Sequence, residues 1–254
     1  MKLAWCCALL APLIGQAQTG WVSLFDGKTM AGWEDPRQKN PPGDAWSIDD
    51  GCLKANAHAH ITEDLFSKDR YRDFELAWEW KVAPGANSGV KYRIQGRVFL
   101  AHMTVHRFED LVNLSLQHRP AGRPDRGQEY VIGFEYQILD NTRNPDARAG
   151  TTHQAGALYD IQGPTKDATR PVGAFNESRL VVKGNHVEHW LNGVKVVDAE
   201  LDSPLAAERI AHRWGQGTPV TEDLTKQPQH DCPISLQNHG GDTWFRNIRI
   251  RRLD

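Results

Sequence analysis

Cysteine is scarce in this chain. Four occur in 254 residues, and two of them, Cys6 and Cys7, fall inside an apolar N-terminal run. That scarcity excludes a disulfide-stapled scaffold. It leaves Cys52 and Cys232, which can form one disulfide or stay as two buried thiols. An excess of one charge is also lacking. Lys and Arg number 30 against 32 Asp and Glu, a net charge of −2, or −3 once Lys2 is lost. With no basic stripe, nucleic acid is not an expected partner. No apolar run reaches the ~20 residues that cross a bilayer, so no membrane span is expected. Internal repeats and low-complexity linkers are absent as well, which argues for one domain.

What is present begins with a processing segment. Lys2 supplies a charge, Leu3 to Ile14 is apolar, and Gly15, Gln16 and Ala17 form a small-residue cleavage site. This reads as a secretory signal over 1–17, cleaved near Ala17, and it places the protein in the periplasm or outside the cell. Cys6 and Cys7 lie too early to anchor a lipid. Residues 18–254 are then a single domain. Nine tryptophans stand out. Core packing is the common fate of an indole, and stacking on a sugar is the alternative.

From Gly20 onward the pattern is strand, turn, strand. Phe74, Leu76, Trp78, Trp80 and Val82 alternate with Glu75, Ala77, Glu79 and Lys81. Val90, Tyr92 and Ile94 alternate with Gly89, Lys91 and Arg93. Turns at Asp50-Gly51, Gly184-Asn185 and Asn192-Gly193 are hairpin signals. Many short antiparallel strands with such turns predict an all-β sandwich of jelly-roll type. Two stretches break the rhythm, 97–130 and 202–230, and both read as long loops. The first carries His102, His106 and His118. On a helix the first two would share a face as a metal pair, but a third ligand is missing. His58 and His60 form an H-x-H pair with the same weakness.

The most telling strand runs from Gly133 to Asn141. Side chains alternate in a strand, so Phe134, Tyr136 and Ile138 face one way and Glu135 and Gln137 the other. A solvated sheet face would explain one such strand. Neighbouring strands add Glu79 and Lys81, Lys91 and Arg93, then Gln237 with His239. Amides, carboxylates and cations in one groove suit a neutral, hydroxyl-rich ligand. Asp140 joins the row of Glu135 and Gln137 only if a β-bulge intervenes.

Five segments in order resemble one family: 21–33 (WVSLFDGKTMAGW), 87–93 (NSGVKYR), 134–141 (FEYQILDN), 189–193 (HWLNG), and 236–240 (LQNHG) with 244–248 (WFRNI). The chain is similar to 3-keto-disaccharide hydrolase domains, long described as a domain of unknown function. The resemblance implies a concanavalin A-like jelly roll and an exported bacterial protein. It also implies cleavage of glycosides whose sugar is oxidised to a ketone at C3. The ketone acidifies the proton on C2; a base removes it, the enolate expels the C1 substituent, and water adds. Such chemistry needs a base and an oxyanion stabiliser. Candidate catalytic residues are Glu135, Asp140 and His239. Candidate substrate contacts are Glu79, Asn87, Lys91, Arg93, Gln137, Tyr159 and Gln237. Lys91, Arg93 or a divalent metal ion could stabilise the enolate. No cofactor motif is found, and a small-molecule carbohydrate is the expected partner. Two features depart from the family pattern: the insertion-like 97–130, and Ala211-His212-Arg213-Trp214 where a Ser-Lys-Phe element is usual.

Two other readings compete. A retaining glucanase of laminarinase type carries Glu-x-Asp-x-x-Glu on a bulged strand, and this chain has Glu135, Gln137 and Asp140 at that spacing. Retaining chemistry needs two carboxyls about 5 Å apart. The remaining reading is a non-catalytic sugar-binding module.

Overall fold

The computed structural model describes residues 20–34, 44–100, 127–226 and 228–253. The expected signal segment and His102, His106 and His118 lie outside the described residues. The strands are β1 (Val22–Ser23), β2 (Trp33–Glu34), β3 (Trp46–Asp49), β4 (Cys52–Ala55), β5 (Ile61–Thr62), β6 (Leu65–Ser67) and β7 (Phe74–Val82). They continue with β8 (Asn87–Leu100), β9 (Gly127–Leu139), β10 (Asn176–Lys183), β11 (His186–Leu191), β12 (Val194–Glu200), β13 (Ser235–Leu236) and β14 (Thr243–Arg252). One sheet has the order β12-β11-β10-β7-β14-β4-β3, with β1 alongside β14. The other has the order β2-β6-β13-β8-β9-β5. All pairs are antiparallel except β5 with β9. This is the jelly-roll sandwich that the alternation predicts.

The core lies between the sheets. Leu76, Trp78 and Trp80 of β7 and Phe245 and Ile250 of β14 meet Val90 and Tyr92 of β8 and Phe134, Tyr136 and Ile138 of β9. Burying each large apolar side chain contributes about 1.5–3 kcal/mol. Trp78 and Tyr136 meet edge to face at 5.0 Å. Polar tips in this layer pair where they can: the Trp80 Nε1–H donates to Ser178 Oγ at 2.8 Å, and Ser178 Oγ also meets the Tyr136 hydroxyl at 2.9 Å, while Trp78 Nε1 is buried with no partner among the described residues. His189 is fully buried, with Nδ1 3.0 Å from the Gly156 carbonyl and Nε2 3.0 Å from the Tyr92 hydroxyl. Those partners put its proton on Nδ1, and burial lowers its pKa to about 4.

Both expected loops need correction. Arg97 to Leu100 and Gly127 to Val131 are paired strand, so β8 and β9 extend into the first. The second folds as two helices, Pro204–Trp214 and Pro219–Thr225. Ser203 and Thr218 cap them by accepting from the backbone N–H of Ala206 and Thr221, with a proline at each first position. Ala206, Ile210 and Trp214 recur every four residues and are buried. Both remaining cysteines are free and buried, so the disulfide does not form.

Candidate active site

The outward face of the second sheet carries a buried polar cluster. The registers Gly89↔Gln137, Lys91↔Glu135 and Ser235↔Lys91 bring three strands together there. Glu135 is 6 % and Lys91 1 % exposed. Glu135 Oε2 lies 3.6 Å from Lys91 Nζ, which donates to the Val131 carbonyl at 2.8 Å. With its amide oriented so that its nitrogen meets the carboxylate and its oxygen the ammonium, Gln237 bridges the pair, donating to Glu135 Oε1 at 3.2 Å and accepting from Lys91 Nζ at 3.1 Å. Lys91 Nζ also sits 4.2 Å above the Tyr130 ring.

Glycine at position 89 makes this packing possible. A Cβ there would lie 2.4 Å from Glu135 Oε1. The carboxylate therefore occupies the space a side chain on β8 would fill.

Two buried carboxylates compete for the Lys91 ammonium. Burial raises the pKa of Glu135, and Lys91 and Arg213 pull it back down. Burial raises Asp64 to about 7, against the pull of Lys91 and a hydrogen bond from Ser235. Burial works against the charge on Lys91, but Tyr130, Glu135 and Asp64 outweigh it and hold the ammonium charged. One cation between two desolvated acids leaves a proton held near neutral pH, which is how a site prepares a carboxyl for proton transfer.

A more open rim lies beside this pair. Asp146, half-buried, accepts from Tyr159 Oη at 3.1 Å, Gln137 Nε2 at 3.4 Å and Asn87 Nδ2 at 3.5 Å. Asn87 Oδ1 is buried with no partner among the described residues. His239, also half-buried, has Nδ1 2.6 Å from the Gln128 amide nitrogen. That contact makes Nδ1 the acceptor and leaves the proton on Nε2. Burial first, then Lys91, lowers His239 to about 4, so the ring is neutral at pH 7. The helix Pro204–Trp214 brings Arg213 to the Tyr130 hydroxyl and 3.6 Å from Asp160, with its guanidinium 4.6 Å above the Tyr159 ring.

The structure therefore gathers Glu135, Lys91, Gln137, Gln237, Asn87, Tyr159 and His239. It does not gather three others. Glu79 lies on the opposite sheet, held by Arg246 Nε at 2.8 Å and by Asn247. Asp140 follows β9 with no bulge before it; the register runs unbroken from Asn87↔Leu139 to Tyr92↔Phe134. Its carboxylate caps the turn instead, accepting from the N–H of Gly85, Thr142 and Arg143 and from Thr142 Oγ1. These bonds outweigh burial and lower its pKa. The irregularity falls on β8, where Arg93, Ile94 and Gln95 lie opposite Gly133. Arg93 adopts φ 50 there and turns to Asp73 at 3.3 Å and the carbonyls of Gly184 and His230. It ties β8 to the β10–β11 turn.

Sequence reasoning missed Asp64, Gln128, Tyr130, Asp146 and Arg213. For Arg213 a signal existed: Ser203-Pro204, then apolar residues every four positions, then Gly215, spell a capped helix. Asp146 had none, because loop packing brings it in. For metals, the described His, Cys, Asp and Glu residues offer one group, His186, Glu188 and Asp198, on the far sheet. Lys195 already pairs with both of its carboxylates. His58 and His60 are exposed, and His60 bonds Asp44 at 2.6 Å.

The fold and this cluster define a jelly-roll sandwich with a polar, carboxylate-bearing site on one sheet. The chain belongs to the 3-keto-alpha-glucoside-1,2-lyase-like domain family, whose profile matches residues 20–251. It is 31% identical over 252 aligned residues to a 3-keto-disaccharide hydrolase of Bacteroides thetaiotaomicron, covering 92% of this chain and 79% of that protein. Two Parabacteroides distasonis proteins provisionally termed glycosyl hydrolases share the fold. The first has a TM-score of 0.68 and 24% identity, covering 92% of this chain and 94% of its own. The second has 0.59 and 25%, covering 92% and 99%. No described helix is long and apolar enough to cross a membrane.

Proposed function

We propose that this protein cleaves 3-keto-glycosides, 3-keto-disaccharides among them, by abstracting the C2 proton and eliminating the C1 substituent. One observation carries the reading: Glu135 is buried against Lys91 and Gln237, on the sheet face that also presents His239 and Asp146. Glu135, its pKa raised, takes the C2 proton. The electrons move to the C3 oxygen, and the neutral His239 Nε2–H donates to that oxygen as it becomes an enolate. The enolate then expels the C1 oxygen, which takes up the proton held by Glu135 and leaves as the aglycone's hydroxyl, with a C1–C2 double bond left in the sugar. Water adds at C1, C2 regains a proton, and the net change is hydrolysis. Lys91 is too buried to touch substrate; it balances the Glu135 charge. Asp146, Asn87 and Tyr159 hold sugar hydroxyls, and Gln137, as buried as Lys91, braces Asp146. An exported site of action, with the signal removed near Ala17, suits this substrate.

The glucanase reading loses its second carboxyl, because Asp140 is spent on its turn. The test offers purified protein a 3-keto-glucoside, the matching glucoside and a β-glucan. Release of aglycone from the keto compound alone, with a loss of ~10²-fold or more in Glu135→Gln, supports the proposal. Cleavage of the glucan alone overturns it, and full activity in Glu135→Gln removes that residue.

A further inference from the structure

A large open cavity lies away from this cluster. It measures about 680 Å³ and lies on the outer face of the other sheet, across the sandwich. Five strands build its floor as one cross-strand row. Trp190 of β11 pairs with Arg179 of β10, Arg179 with Ala77 of β7, Ala77 with Arg249 of β14, and Arg249 with Ser23 of β1. A methyl side chain at the centre, with long side chains on either side, makes a trough.

The walls are indoles. Trp190 stands on one side, with the Arg179 guanidinium 4.0 Å from its ring. Trp21 stands on the other, with Arg249 and Arg251 at 5.3 and 5.1 Å from its ring. Both indoles are half-exposed, and both line the cavity. The polar groups between them are held in place. Arg179 is fixed by Glu75 at 2.8 Å, and Trp190 Nε1–H by Glu188 at 2.8 Å. Glu79 and Glu177 offset Arg179 and Arg249, so the lining charge cancels. No net lining charge therefore favours an anionic or cationic ligand over a neutral one.

Flat apolar walls, fixed hydrogen-bonding groups, cancelled charge and a volume inside the ~300–1,000 Å³ range of small-ligand sites fit one chemistry. We propose that this trough is a second carbohydrate site that binds a short neutral oligosaccharide, unoxidised at C3, remote from the catalytic cluster. A pyranose lies against Trp190 or Trp21 through its C–H face, and its hydroxyls bond Arg179, Arg249 and Glu177. Binding here would hold the enzyme on a glycan while the opposite sheet turns over the keto sugar. The claim does not depend on the proposed reaction.

The test titrates the full chain with neutral gluco-oligosaccharides of two to four units and with a uronate oligomer, followed by calorimetry and tryptophan fluorescence. The neutral series should bind. Trp190→Ala and the trough-filling Ala77→Leu should each weaken binding at least about tenfold. Glu135→Gln should bind as the parent does, which separates this site from the catalytic one. Turnover of a soluble keto-disaccharide should be unchanged in Trp190→Ala. No neutral binding up to ~10 mM, binding untouched in both trough variants, or preference for the uronate would each overturn the proposal. So would a dimer that Ala77→Leu dissociates, because the trough would then be a contact between copies of this chain.

Discussion

Replacing Gly89 with alanine tests how the Glu135–Lys91 cluster is packed. Gly89 faces Gln137 across the β8–β9 pair, two residue pairs from Glu135 and on the same face. Its backbone is not left-handed, so alanine costs nothing in conformation there. The obstacle is contact. The new methyl would lie 2.4 Å from Glu135 Oε1 and 2.9 Å from both Cγ and Cδ. Ordinary separations are about 3.5 Å or more, so the carboxylate must move by roughly 1 Å. It cannot move freely, because Lys91 and Gln237 hold its two oxygens. Overpacking of this kind costs about 1–3 kcal/mol, which in a domain this size lowers Tm by roughly 2–4 °C per kcal/mol. A displaced base costs ~10²-fold in kcat/KM on a 3-keto-glucoside. The control is the same change in a Glu135→Ala background. There the methyl finds open space, and the glycine-to-alanine change should be neutral or stabilising by about 0.4–1 kcal/mol. The double-mutant cycle should therefore show a coupling of about 1–3 kcal/mol. If Gly89→Ala costs the same in both backgrounds, or leaves rate and Tm intact, the carboxylate does not lie over Gly89 and the reasoning fails.

Lys91→Met should destabilise the fold by about 3–5 kcal/mol, because Glu135 and Asp64 lose their buried cation; adding Glu135→Gln should recover much of that in denaturant melts, and no recovery would show that Lys91 acts elsewhere. His189 predicts an acid-side stability loss. Its folded pKa of about 4 lies below the unfolded value of 6.5, so the unfolded chain binds more protons between those values and stability is lost as pH falls from 6.5 to 4. The loss should reach about 3 kcal/mol, and a His189→Gln melt series as steep as the parent across that window would refute the assignment. Arg213 lowers the pKa of Glu135, so Arg213→Met should move the acid limb of the kcat/KM profile to higher pH; an unmoved limb would remove either Arg213 from the cluster or Glu135 from the base role.

Much of the architecture was legible because strand alternation is a local property. Phe74 to Val82 shows its buried face in the order of its letters, and the turns at Asp50-Gly51 and Asn192-Gly193 sit where the letters place them. The helices at Pro204 and Pro219 are equally local, marked by the capping residues Ser203 and Thr218. Glu135, Gln137, Lys91 and Gln237 could be grouped from parity alone, since parity assigns a face. Glu79 shows the limit of that inference. It has the right parity and the wrong sheet, and nothing in its own strand says which sheet β7 joins.

The amino-acid sequence by itself determined the sandwich, the strand faces and the family, because hydrophobic period and turn chemistry act over a few residues. Tertiary structure decided which of the polar residues that parity puts on one face share a site, and which others join them. Asp140 turns back to cap its own loop, Arg93 leaves the groove through a bulge on β8, and Asp146 enters from a loop that only packing closes. It also decided the protonation balance of the cluster, which depends on two buried acids, Glu135 on β9 and Asp64 in the β5–β6 connection, facing one ammonium. Distances between segments far apart in the chain set that balance, and no local pattern encodes them.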